Sequence, residues 1–189
     1  MTYASLSQVK NYLGITVTSD DGLLTEIIAR AEGIIDARTG RHFEAETDTK
    51  YFGADALDGA LLYLWGYDLL TVTELTDGSG AVVDPINYRL EPRNSTHSYV
   101  IRLLNGMTWN LTDGDAEVTV TGTWGYSQTA PEDVVHACVR LSAFIYRQKD
   151  TSADVDRPLI TGDGVTIMPS GVPKDVMSIL DGYRRRIGA

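Results

Sequence analysis

A chain of 189 residues carries 16 Lys and Arg against 26 Asp and Glu, a net charge of −10, with 43% hydrophobic residues. That suits one domain, or a domain with a sub-domain, and argues against disorder. No apolar run reaches the roughly 18 residues a membrane helix needs, and no basic face fit to displace counterions from DNA occurs, apart from Arg184, Arg185 and Arg186.

Charge is uneven. Residues 1–48 hold four basic and eight acidic side chains, residues 49–129 four and ten, and residues 130–189 eight of each. The opening Met1 to Ser5 lacks a basic region followed by an apolar core, so no secretory signal is expected. Cys138 is the single cysteine. It reads as a small buried hydrophobe, from a chain made in a reducing cytoplasm or one that does not depend on redox.

In chain order, Ser5-Leu6-Ser7-Gln8 is a capping box, and Gly14 ends the short helix it opens. Ser19-Asp20-Asp21 caps a longer helix from about Gly22 to Thr39, with the stripe Leu23, Leu24, Ile27, Ile28, Ala31, Ile34 and Ile35. Gly40 closes it. After Phe43 the pattern turns to β. Strands are expected at Thr49–Phe52, Gly59–Trp65, Leu69–Leu75, Ala81–Val83, Asn87–Leu90, Tyr99–Leu103, Met107–Leu111 and Glu117–Trp124. Turns fall at Asp77-Gly78-Ser79-Gly80, Asn105-Gly106 and Asp113-Gly114-Asp115. This spacing describes a small antiparallel sandwich or barrel-like unit.

The last strand alternates Val118 and Val120 with Thr119 and Thr121. It hands over to a helix started at Pro131, with Glu132 and Asp133 at the positive end of its dipole. Val134, Val135, Cys138, Leu141, Ile145 and Tyr146 form one stripe. Residues 150–158 read as an exposed linker. Residues 161–168 read as a loop ending in a short strand, and Pro173 opens a last helix with Val176, Met177, Leu180 and Tyr183. The fold class is α+β: a helical bundle formed by residues 1–48 and 130–189, with residues 49–129 as an inserted antiparallel β unit.

Signals for chemistry are absent. His42, His97 and His136 lie in different segments, without zinc or haem spacing. No Gly-x-Ser-x-Gly elbow exists, and Gly162-x-Gly164 is too short for a dinucleotide fingerprint. Asp113 and Asp115 lack the glutamate of a calcium loop. Asp20-Asp21 reads as capping rather than as a catalytic pair. Trp65, Trp109, Trp124, Tyr63, Tyr67 and Tyr126 read as sandwich core, with carbohydrate stacking as the alternative. No catalytic residue, metal or cofactor is expected, and the chain is not read as an enzyme.

Three stretches carry a resemblance: Ser7-Gln8-Val9-Lys10-Asn11-Tyr12-Leu13-Gly14-Ile15; Asp20-Asp21-Gly22-Leu23-Leu24; and Ile28 to Asp36. With Thr39-Gly40-Arg41-His42-Phe43, Trp124-Gly125-Tyr126 and Pro131-Glu132-Asp133-Val134, they resemble the head–tail connector (adaptor) proteins of tailed bacteriophages. The matches cover residues 5–43 and 117–149. The larger β insert and the unaligned C-terminal segment depart from the compact helical versions.

The resemblance implies a non-enzymatic ring, dodecameric and head-to-tail, seated in the virion neck between the portal protein and a stopper or tail-completion protein. DNA would pass through without specific binding, since an acidic lumen offers phosphate no counterion release. Two unlike surfaces per subunit are then required. Residues 170–189 are expected to dock on the portal, with Met177, Leu180 and Tyr183 as anchors and Arg184, Arg185 and Arg186 as charge partners. The alternative for this segment is a fourth bundle helix with a solvated basic end. The rival functions are a tail-completion or terminator protein, a glycan-binding β module, and an enzyme of unrecognised type.

Overall fold

The computed structural model describes residues 2–112, 116–149, 159–160, 166–167 and 172–185. It is a mixed α+β protein, and the chain divides into two compact units, Met1–Gly40 with Pro131–Ala189, and Arg41–Ala130. Asp113, Asp115, Arg186 and the linker 150–158 lie outside the described residues.

The first unit is helical. Helix α1 (Leu6–Leu13) starts on the expected capping box, in which Ser5 Oγ accepts from Gln8 N–H at 3.2 Å and Gln8 Oε1 accepts from Ser5 N–H at 2.7 Å. It stops at Gly14, whose φ of +73° is the left-handed geometry glycine supplies at no steric cost. Helix α2 (Asp21–Thr39) ends likewise at Gly40. Its buried face is Leu24, Ile27, Ile28, Ala31 and Ile35, whereas Ile34, expected in the stripe, is 42% exposed. Against α2 packs α3 (Glu132–Gln148), which also meets α1 and α4 (Lys174–Tyr183). Helix α3 buries Val134, Ala137, Cys138 and Leu141, and α4 buries Val176 and Leu180. Each such side chain removed from water is worth about 1.5–3 kcal/mol where it is as large as leucine.

Polar ties fix which helix faces which. Tyr3 donates through its hydroxyl to Asp36 and through its N–H to Glu32, both at 2.6 Å. Arg140 holds Asp175 at 2.9 Å, and Tyr183 donates to Asp133 at 2.7 Å. The capping expected of Asp20 is a correction. Its side chain makes no cap hydrogen bond but accepts from the Tyr146 hydroxyl and from Lys149 Nζ. Those donors, the tyrosine foremost, hold the Asp20 carboxyl below its usual range. Asp21 meanwhile pairs with Lys10. A tertiary partner out-competed the local one because α3 brings a hydroxyl and an ammonium to the same oxygen. Between α3 and α4, β8 (Leu159–Ile160) and β9 (Thr166–Ile167) pair with each other as a two-stranded sheet.

The second unit is two antiparallel sheets. One has the order β1 (Glu46–Phe52), β7 (Val118–Trp124), β4 (Leu69–Thr76). The other runs β2 (Leu57–Asp58), β3 (Leu61–Tyr63), β6 (Val100–Leu103), β5 (Tyr88–Glu91). Along β7 the alternation predicts the faces correctly: Val118, Val120, Gly122 and Trp124 are buried, and the threonines between them are not. They pack with Phe52, Leu62, Leu64, Leu75, Ile101 and Trp109.

Three expected strands change. Gly59, at φ +58°, breaks the 59–65 stretch into a turn and the short β3. Ala81–Val83 contributes only one bridge, Val82 to Thr76, and Met107–Leu111 only one, Leu111 to Gly78. The turns at 77–80 and 105–106 behave as expected: Asp77 Oδ1 accepts from Ser79 N–H and Ala81 N–H at 3.0 Å, and Asn105 and Gly106 both have positive φ.

Candidate functional site

The resemblance rests partly on Thr39-Gly40-Arg41-His42-Phe43. In the helical unit Thr39 is buried, with its hydroxyl donating to Ile35 O at 2.9 Å. In the β unit Phe43 is fully buried and its ring lies 5.4 Å from that of Tyr126.

Arg41 is the centre of a polar knot. Its Nη1 lies 2.8 Å from both carboxylate oxygens of Asp68, whose side chain is 3% exposed. The same nitrogen is 3.2 Å from His97 Nε2, and the guanidinium sits 5.0 Å from the Tyr126 ring centre. His97 stacks on Tyr126 at 4.5 Å. Arg41 Nη1 can only donate, so a hydrogen bond between the two needs an unprotonated Nε2, and the same ring nitrogen lies 3.7 Å from Asp68 Oδ1. Nearby, Tyr126 N–H donates to His42 O, and Gly125 N–H to Asp68 O, both at 2.8 Å. The incoming and outgoing stems of the β unit are thus held together by one charge pair and its ring neighbours. Sequence reading quoted Arg41 and Tyr126 only as motif residues. It missed their connection to Asp68 and His97, because 27 and 56 positions separate those from Arg41. The arrangement is that of a structural lock between the two stems.

The expected docking residues fall in α4 and just after it. Leu180 is fully buried in its own unit, so its side chain is not presented to a partner in this structure. Met177 is half-buried, and Tyr183 is half-buried with its hydroxyl on Asp133. Arg184 is exposed, and Arg185 donates its backbone N–H to Thr39 O at 2.8 Å. Val176 and Leu180 are an anchor turned inward.

Among the aromatic residues read as core, Trp109 and Trp124 are buried, but Trp65 is 56% exposed and Tyr67 44%. Gly66, at φ +79°, lets the chain turn so that Tyr67 N–H reaches Leu64 O, which leaves Trp65 at the tip of the turn with Tyr63 stacked 5.5 Å away.

Among the described residues no group of His, Cys, Asp or Glu could hold a metal ion. Burial, with Glu32 adding to it, pushes the Cys138 thiol up from 9.0 to about 12. A thiol held neutral is a poor nucleophile. At pH 8 the native protein is therefore expected to react with a disulfide reagent far more slowly than the denatured chain, and equal rates would contradict the burial. The same shift gives stability that is intact below pH 9 and is lost as pH climbs toward 12, because only the unfolded thiol ionises readily there.

Comparison with known proteins adds the following. Among the solved structures, a chain from the neck of an empty GTA particle computed with C6 symmetry is 21% identical, with 99% of this chain and 93% of that one covered and a TM-score of 0.67. A chain from the virion of a native gene transfer agent (GTA) particle is 20% identical over 99% and 93%, with a TM-score of 0.61. A chain from the neck of a native GTA particle computed with C12 symmetry is 24% identical over 97% and 91%, with a TM-score of 0.60. At these identities the likeness is one of fold. No curated protein matches. The family model described as "Head completion protein" matches residues 2–186. That span takes in the capping box, the Arg41 knot, both sheets of the β unit and α4, and it bears out the resemblance to head–tail connectors: the chain belongs to the head completion protein family.

Proposed function

We propose that the protein is a ring-forming adaptor of a particle neck. It bridges the portal to the stopper or tail-completion component and continues the DNA channel, with a bundle of the terminal helices carrying an inserted β unit. The observation that carries this reading is the family match along almost the whole chain, supported by the fold shared with the neck chains. A ring of twelve is in keeping with the C12 symmetry of one of those necks. Charge supports a channel role: residues 41–130 hold five basic against thirteen acidic side chains, a net −8, which repels phosphate.

Portal docking stays with residues 170–189, by way of Met177, Tyr183 and the arginines 184–186. Deleting the segment would remove Val176 and Leu180 from the core, so exchange of Arg184 for glutamate is the cleaner probe. Mass measurement of the purified protein, alone and mixed with the portal ring, tests the reading. Wild type is expected to form a ring in at least the mixture, and Arg184→Glu to weaken binding. A strict monomer in both samples would overturn the proposal.

A further inference from the structure

The end of the β unit formed by the loops 77–87 and 104–112 has a composition of its own. The two loops are joined: Leu104 N–H donates to Asn87 O at 2.8 Å, Asn105 Nδ2 lies 3.3 Å from Asn87 Oδ1, and Gly78 bridges Leu111. The turn after β2 joins them, since Leu103 N–H donates to Ala60 O at 2.8 Å. This end exposes apolar side chains that its own core does not use: Val82 at 66%, Ile86 at 74% and Met107 at 38%. At the same end of the sheets lie Asp77 and Asp84 in the first loop, Asp58 at the end of β2, Asp55 in the short helical turn between β1 and β2, and Glu117 just before β7. No Lys or Arg occurs between residues 51 and 88 or between 103 and 139. The arginines closest in sequence, Arg89 and Arg102, are both turned onto Glu91, at 2.8 and 2.9 Å.

We propose that this acidic-rimmed apolar tip is a docking surface for a protein partner whose contact face is apolar at its centre and rimmed by Lys or Arg. Exposed aliphatic groups in a single-sign rim are the arrangement in which the centre supplies affinity and the rim supplies orientation and encounter rate. Nucleic acid and anionic membrane are repelled by such a rim. A second copy of this chain is a poorer complement: its Lys10, Arg38, Arg140 and Lys149 are already paired with its own Asp21, Asp181, Asp175 and Asp20, and the exposed Arg184 is assigned above to the portal. The occupant is therefore a different protein. The inference rests on the adaptor reading: with the portal contact placed on residues 170–189, the tip belongs to the component on the tail side.

The test uses assembled particles carrying the double exchange Ile86→Asp with Met107→Asp. A second variant reverses rim charge, Asp55→Lys with Asp58→Lys. All four positions are outside the buried core, so unchanged melting and circular dichroism are expected. Particles with either variant should keep this protein and the portal at wild-type stoichiometry but lose the tail-side components by roughly tenfold or more, the scale of one lost hot spot. Complete particles would overturn the proposal and leave the adaptor reading standing. A folded variant missing from particles, or unable to form rings, would put the portal or a second copy on the tip and overturn it equally. Failure of the adaptor reading shows separately, as a wild-type chain that never assembles.

Discussion

Replacing Arg41 by methionine is expected to lower unfolding free energy by about 3–5 kcal/mol, the scale for removing one partner of a buried charge pair. The Asp68 side chain is 3% exposed and that of Arg41 is 15%, so water cannot take over the guanidinium's role at the carboxylate. The loss should extend to the geometry of the stems, because Tyr126 and His97 pack on the same group. Asp68→Asn should cost less, since an amide still offers an oxygen to the guanidinium. The double variant Arg41→Met with Asp68→Leu should recover much of the loss, since the charges are removed together. Urea unfolding of the wild type, Arg41→Met, Asp68→Leu and the double variant measures the cycle. Additive losses, with no recovery in the double variant, would show that the pair is not the coupling element.

Gly122 carries the second large expectation. It lies in β7 opposite Val72, where β4 slips its register between Val72 and Glu74. A Cβ built there would run into the carbonyl oxygen of Thr71, with Leu69 Cδ1 a further 3.3 Å neighbour. The obstacle is backbone, so no side-chain rotation relieves it, and the close approach is the reason a glycine stands in a central strand. Gly122→Ala is expected to cost about 1–3 kcal/mol, and Gly122→Val to prevent the three-stranded sheet from forming. Thermal melts with far-ultraviolet circular dichroism would check this. A valine variant that melts like wild type would mean that β4 and β7 are not packed as described.

Much of the local architecture is legible in the residues themselves. The capping box at Ser5, the glycine stops at Gly14 and Gly40, the two-residue period of β7 and the long stripe of α3 depend on neighbours one to four positions away. A linear chain states such neighbours openly. The absence of zinc spacing or a serine elbow was equally plain, and family resemblance followed from these capping and core residues. Tertiary structure decided the rest. It turned Asp20 from a helix cap to a partner of Tyr146 and Lys149, sent Leu180 inward while Ile34 stayed at the surface, and left Trp65 outside the sandwich core. It also joined Arg41, Asp68, His97 and Tyr126, and gathered Val82, Ile86 and Met107 at one acidic end. Each of these depends on which distant groups compete for the same oxygen or the same apolar volume. That competition is settled only when the whole chain has packed, because burial and desolvation belong to a place in space rather than to a position in the sequence.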